Sequence, residues 1–106
     1  TPKPPILASV IPVSISSISL SWLDVIQPDY TNISYYRIYY KQRLEENFNL
    51  LTDKLDTKLS DYEVTNLLAG TEYIFTMASQ NDVGIGPRSN AISAITFESG
   101  MLVFYL

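Results

Sequence analysis

The sequence predicts an all-β sandwich of seven antiparallel strands in two sheets. Three observations carry that prediction. Short segments alternate apolar and polar residues with a period of two. Clusters of Gly, Pro, Asn and Asp separate them. Tyr, Ile, Val and Thr, which suit a pleated half-buried surface, concentrate inside the segments.

Thr1-Pro2-Lys3-Pro4-Pro5 favours an extended backbone and reads as a linker running into an edge strand. Ser17 to Trp22 alternates strictly, with Ile18, Leu20 and Trp22 on one face and serines on the other. Leu23 to Ile33 carries Asp24, Pro28, Asp29, Thr31 and Asn32, which is loop chemistry. In Ser34 to Lys41, one face holds Tyr36, Ile38 and Tyr40. The other holds Tyr35, Arg37, Tyr39 and Lys41, and its charges assign the first face to the core.

Arg43 to Ser60 is ambiguous. Leu44, Phe48, Leu51, Leu55 and Leu59 recur every three or four residues, a helical template. A lone helix would need a sheet face to cover, and both faces of the preceding strand already have assignments. The expectation is a short strand near Asn47 to Thr52, then a loop through Asp53 and Asp56. Asp61 to Leu67 alternates again, with Tyr62, Val64 and Leu67 inward. Ala69-Gly70-Thr71 is a turn, and Tyr73 to Ser79 is the longest strand, with Tyr73, Phe75 and Met77 inward. Asn81 to Pro87 is a Gly-bearing loop, and Ser89 to Thr96 closes the set with Ile92 and Ala94 toward the core.

A chain of 106 residues suits one domain. It can bury roughly 65% of its unfolded surface, enough for one core. Hydrophobic residues make up 46% and charged residues 17%, which excludes a disordered tail. The longest apolar run, Met101 to Leu106, is far short of the roughly 20 residues a membrane helix needs, so direct membrane insertion is not expected. Net charge is −4, with no basic stripe for nucleic acid. Cys and His are absent, which removes disulfides, thiolate nucleophiles, imidazole bases and most zinc chemistry. No cofactor, metal or catalytic residue is expected.

These segments, in this order, resemble the fibronectin type III family from about Pro4 to Thr96. The resemblance rests on the proline-rich start, Ser17-Ile18-Ser19-Leu20-Ser21-Trp22, and Tyr36-Arg37-Ile38-Tyr39-Tyr40. It rests further on Leu67, Gly70, Thr71 and Tyr73, and on Asn81, Gly84, Gly86 and Ser89. It implies an immunoglobulin-like sandwich over residues 1–97, with Trp22, Tyr36, Ile38, Leu67, Tyr73 and Phe75 in the core. Tyr73 resembles the tyrosine corner, whose hydroxyl bonds to upstream backbone. Two positions depart from the family pattern: Ala69 stands where Pro is common, and Ser79 where a small apolar residue is common. Residues 98–106 have no counterpart in a lone module. They read as an apolar tail, either a linker or the start of a following domain, and Met101 to Leu106 offers a route to self-association.

Several candidate sites have bland counterparts. Asn32-Ile33-Ser34 fits the N-glycosylation sequon, at a frequency chance also produces. Leu23-Asp24-Val25 and Leu55-Asp56-Thr57 resemble short acidic tripeptides read by some integrins, or are ordinary strand-end and loop residues. Tyr35, Arg37 and Tyr39, with Ile74 and Thr76, are expected to form a solvent-facing patch. That patch is either a partner face or plain cross-strand pairing. The Gly84–Gly86 loop lacks the strand–loop–helix context and Lys of a phosphate cradle. Asp53 and Asp56 lack an apolar pocket to part their pKa values.

The resemblance implies a non-catalytic interaction or spacer module whose partners are other protein domains. The expected setting is a tandem array in the ectodomain of a cell-surface receptor or adhesion protein. The alternatives are a cytoplasmic scaffold module of a muscle or cytoskeletal protein, and an accessory domain of a secreted carbohydrate-active enzyme.

Overall fold

Seven strands follow one another along the chain: β1 (Ile6–Pro12), β2 (Ile18–Leu23), β3 (Tyr35–Gln42), β4 (Asn49–Leu55), β5 (Asp61–Val64), β6 (Glu72–Gln80) and β7 (Ile92–Ile95). The computed structural model describes residues 1–27 and 32–99. One sheet has the order β1-β2-β5 and the other β4-β3-β6-β7. Every pairing is antiparallel.

The core forms where the inward rows of the two sheets meet. Ile18, Leu20 and Trp22 from β2 face Tyr36 and Ile38 from β3 and Tyr73, Phe75 and Met77 from β6. Leu7, Leu55 and Val64 complete the buried cluster, and Tyr40, Tyr62, Leu67, Ile92 and Ala94 pack around it. The Trp22 and Tyr36 rings meet edge-to-face at 6.0 Å, a favoured arrangement of their quadrupoles. Leu67 is therefore only partly buried, a flank of the core rather than its centre.

The corner before β6 is closed by side chains. Tyr73 Oη accepts the Leu68 N–H at 2.8 Å. Thr96 Oγ1 accepts the Thr71 N–H and donates to Leu68 O, at 3.0 and 2.6 Å. Gly70 has φ +58°, a left-handed conformation that a Cβ would penalise.

Two segments differ from the sequence expectation. The fourth strand runs over Asn49–Leu55, not Asn47 to Thr52, and Asp53 lies in it rather than in a loop. Leu55 pairs with Tyr36 and is a core residue, which holds the strand in place for longer. Register shifts around Ile38 interrupt the alternation that would have marked it. Leu44 and Leu59, which completed the helical template, are exposed. The proline-rich start is not a free linker. Pro2 and Pro5 are fully buried, and a Cβ on Gly86 would fall 2.0 Å from the Pro2 carbonyl oxygen. Lys3 N–H donates to Gln27 Oε1 at 2.8 Å, and Gln27 Nε2 donates to Lys3 O at 3.0 Å.

The two sheets are also joined by polar bonds at one edge. Asn90 Oδ1 accepts the Leu7 N–H at 3.1 Å, and Asn90 Nδ2 donates to Leu7 O at 3.0 Å. At the opposite end of the chain, Phe97 N–H donates to Ser14 O and Phe97 O accepts the Gly70 N–H. The expected apolar tail falls mainly on residues 100–106, outside the described residues.

Candidate functional site

The outward row of β3 carries Tyr35, Arg37, Tyr39 and Lys41. The register sets these opposite Gln80, Ala78, Thr76 and Ile74 of β6. Tyr39 also sits opposite Leu50 of β4. This is the face on which the sequence places a solvent-facing patch. Tyr35, at 40% exposure, faces solvent as expected, and Arg37 and Ile74 are half-buried.

Tyr39 and Thr76 do not face solvent. Tyr39 is 9% exposed and Thr76 is 2% exposed. The cause is Arg88, from the segment after the Gly84–Gly86 loop. Ser89 N–H bonds to Met77 O, so this segment lies beside β6. Tyr39 is one strand further on, about 10 Å away at ~4.8 Å per strand. The Arg88 side chain crosses the short residues Thr76 and Ala78 and puts its guanidinium 4.4 Å from the Tyr39 ring centre. Thr76 Oγ1 meanwhile donates to Ser89 O at 2.9 Å.

The same guanidinium lies 5.2 Å from the Phe48 ring centre, and Lys41 Nζ lies 5.4 Å from that ring. The Arg37 guanidinium carbon lies 5.6 Å from the Tyr39 ring centre, with Nε donating to Tyr39 Oη at 2.8 Å. Arg37 Nη1 donates to Gln80 Oε1 at 3.2 Å. Three cations and two aromatic rings thus interleave across one sheet face. All the separations lie within cation–π range. Among the described residues the one ion pair is Arg43–Glu72 at 3.6 Å, so Arg37, Lys41 and Arg88 have no carboxylate within 4.0 Å.

The other candidates occupy different places. Asn32 is exposed at the start of the segment leading into β3. Asp24 accepts a hydrogen bond from the Tyr36 hydroxyl. Burial and this carboxylate together push the Tyr36 phenol well above its ordinary pKa. Asp24 is thus tied to the core through Tyr36 while it and Leu23 remain exposed. In the other tripeptide Leu55 is buried, and Asp56 Oδ1 accepts the Lys58 N–H at 2.9 Å. Among the described residues no cluster of three or more carboxylates is placed to hold a metal ion.

A seven-stranded two-sheet sandwich with a corner tyrosine and a buried strand-two Trp defines an immunoglobulin-like interaction module. The family model of the fibronectin type III domain matches residues 3–95, and the chain belongs to that family. Its members are generally non-catalytic modules that mediate protein–protein contacts. The chain is similar to the crystal structure of domains A168–A170 of titin, with 25% identity and a TM-score of 0.79 over 92% of this chain and 33% of that one. It is likewise similar to the FN1–FN3 domains of chicken CNTN1, with 26% identity and a TM-score of 0.74 over 89% of this chain and 31% of that one. A β-1,2-glucanase from Parabacteroides distasonis shares the fold at 16% identity and a TM-score of 0.76, over 93% of this chain and 13% of that one. The chain spans about a third of the titin and CNTN1 structures.

Sequence reasoning missed Arg88, Phe48 and the burial of Tyr39. Pro87 and Ser89 mark Arg88 as a loop residue, and nothing local shows that it reaches across β6.

Proposed function

We propose that this chain is a non-catalytic interaction and spacer module, one of several in tandem in the ectodomain of a cell-surface receptor or adhesion protein. The observation that carries the reading is the placement of the chain ends. Pro2 and Lys3 pack against Gly86 and Gln27 at one pole. Phe97 leaves beside Ser14 and Gly70 at the other. The nine residues of β6 separate the poles by about 30 Å at ~3.3 Å per residue. Modules entered and left in this way chain end to end. Each pole also exposes apolar side chains that a neighbour can cover: Ile26, Val83 and Ile85 at the first, and Val13, Ile15, Leu68 and Phe97 at the second. The exposed sequon at Asn32 supports the extracellular setting.

Two measurements test the reading. Two copies joined in series should give a small-angle scattering profile of an extended rod, and a folded-back compact pair would overturn the spacer role. The protein isolated from its native cells should carry a glycan on Asn32, read by peptide mass. An unmodified Asn32 in every molecule would favour the alternative, an intracellular scaffold module.

A further inference from the structure

We propose that the interleaved stack of Arg37, Tyr39, Arg88, Phe48 and Lys41 is the docking face for an acidic, partly apolar segment of a partner protein. The proposal rests on the reading of the chain as an interaction module and names its partner chemistry. Four features carry it.

The chain has only seven Lys and Arg against eleven Asp and Glu, yet three of the cations gather on one sheet face. Glu45 lies beside Lys41, whose Nζ donates to the Glu45 carbonyl at 3.0 Å, but no carboxylate among the described residues pairs with Arg37 or Arg88. Like charges gathered in this way raise one another's energy, which an incoming carboxylate relieves. The Arg88 guanidinium carbon lies 4.4 Å from the Tyr39 ring centre and 5.2 Å from that of Phe48, and the side chain has no hydrogen-bond partner among the described residues. Its five in-plane N–H donors therefore stay available in a fixed fork that matches a carboxylate. The rings have already restricted the side chain, so less conformational freedom is lost on docking. Leu50 and Tyr35 lie exposed on or beside the same face, which supplies apolar contact next to the charges.

These features favour an acidic protein segment over a densely sulfated glycan. A polysulfate would gain from three cations, but the net charge of −4 repels its dense charge more strongly than the few charges of a short acidic segment, and it cannot use Leu50 or Tyr35 as contact surface. An acidic segment with apolar side chains uses both halves of the face.

The test is an NMR titration of the whole chain with three probes: a short acetylated peptide of mixed glutamate and leucine, its glutamine counterpart, and a heparin tetrasaccharide. The glutamate peptide should shift the Arg37 and Arg88 Nε–H signals and the Tyr39 and Phe48 ring signals, saturably. The glutamine peptide should bind about tenfold more weakly or worse, since a charge-assisted hydrogen bond contributes at least that factor. Arg88→Gln keeps most of the stem that covers Thr76 and removes the charge. It should fold with an unchanged Trp22 emission spectrum and lose about tenfold in affinity for the glutamate peptide. Arg88→Lys keeps the charge without the fork and should lose at least about threefold. Shifts mapping to another face, equal binding of the glutamine peptide, undiminished binding by Arg88→Gln, or tighter binding of the tetrasaccharide at these residues would each overturn the proposal. Any of these outcomes leaves the spacer reading standing, because the scattering and glycan measurements do not depend on this face.

Discussion

Replacing Ser79 with alanine should stabilise the domain by about 1 kcal/mol. Ser79 lies on the inward row of β6, directly opposite Tyr36, and is fully buried. Its Oγ has no hydrogen-bond partner among the described residues. A hydroxyl taken from water and left unpaired costs roughly 1–3 kcal/mol on protein scales. Alanine keeps the Cβ and removes one oxygen, so the space left behind is smaller than a methyl group. A few lost dispersion contacts, about 0.1–0.2 kcal/mol each, offset part of the gain. The lower end of the range follows. For a domain of this size 1 kcal/mol moves Tm by about 4–8 °C, easily read by circular dichroism. A lower Tm for Ser79→Ala would refute the reasoning, because the hydroxyl would then have been paired. The candidate partner in that event is Trp22 Nε1, the other buried side-chain polar atom without one among the described residues, whose ring packs on Tyr36. A simultaneous change in Trp22 emission would identify it.

Three further outcomes are expected. Tyr73→Phe should cost about 1–2 kcal/mol in chemical denaturation, since it leaves the Leu68 N–H without its acceptor at a corner that water partly reaches. Trp22→Ala should cost about 3–5 kcal/mol, a large part of a small domain's stability, and a melting point within a few degrees of the parent would contradict its central placement. The Tyr36 phenol ionises later in the folded chain than in the unfolded one, mainly through burial and then through Asp24. Its contribution is therefore complete below about pH 10, where the unfolded phenol starts to ionise, and falls as pH rises further. Stability measured across that alkaline limb should decline less steeply in Tyr36→Phe.

The inward rows of β2, β3 and β6 were legible because each alternates apolar with polar over a whole strand. Ile18, Leu20 and Trp22 against intervening serines admit one assignment of faces, and Tyr73, Phe75 and Met77 another. The corner at Tyr73 was legible through its local companions, Leu67, Gly70 and Thr71. β4 was not. It is an edge strand, its register shifts around Ile38, and neither of its faces is fully buried, so the two-residue period is weak. Its leucines fall by accident at helical spacing. The burial of Pro2 and Pro5 depends on Gly86, far along the chain. The covering of Tyr39 depends on Arg88 crossing a strand whose outward residues are short. Contacts of this kind leave no local trace, and the candidate interaction face was consequently legible in its strand residues and invisible in its loop residues.

The Asn90 side chain mimics a backbone amide toward Leu7, accepting its N–H and donating to its carbonyl. That clasp joins the strand by which the chain enters to the segment just before the strand by which it leaves. In a protein pulled by its ends, tension therefore reaches β1 and β7 from opposite poles and loads the clasp and the β1–β2 ladder lengthwise, so that several bonds must yield together rather than peel one at a time. A module of this construction resists stretching at its two outer strands.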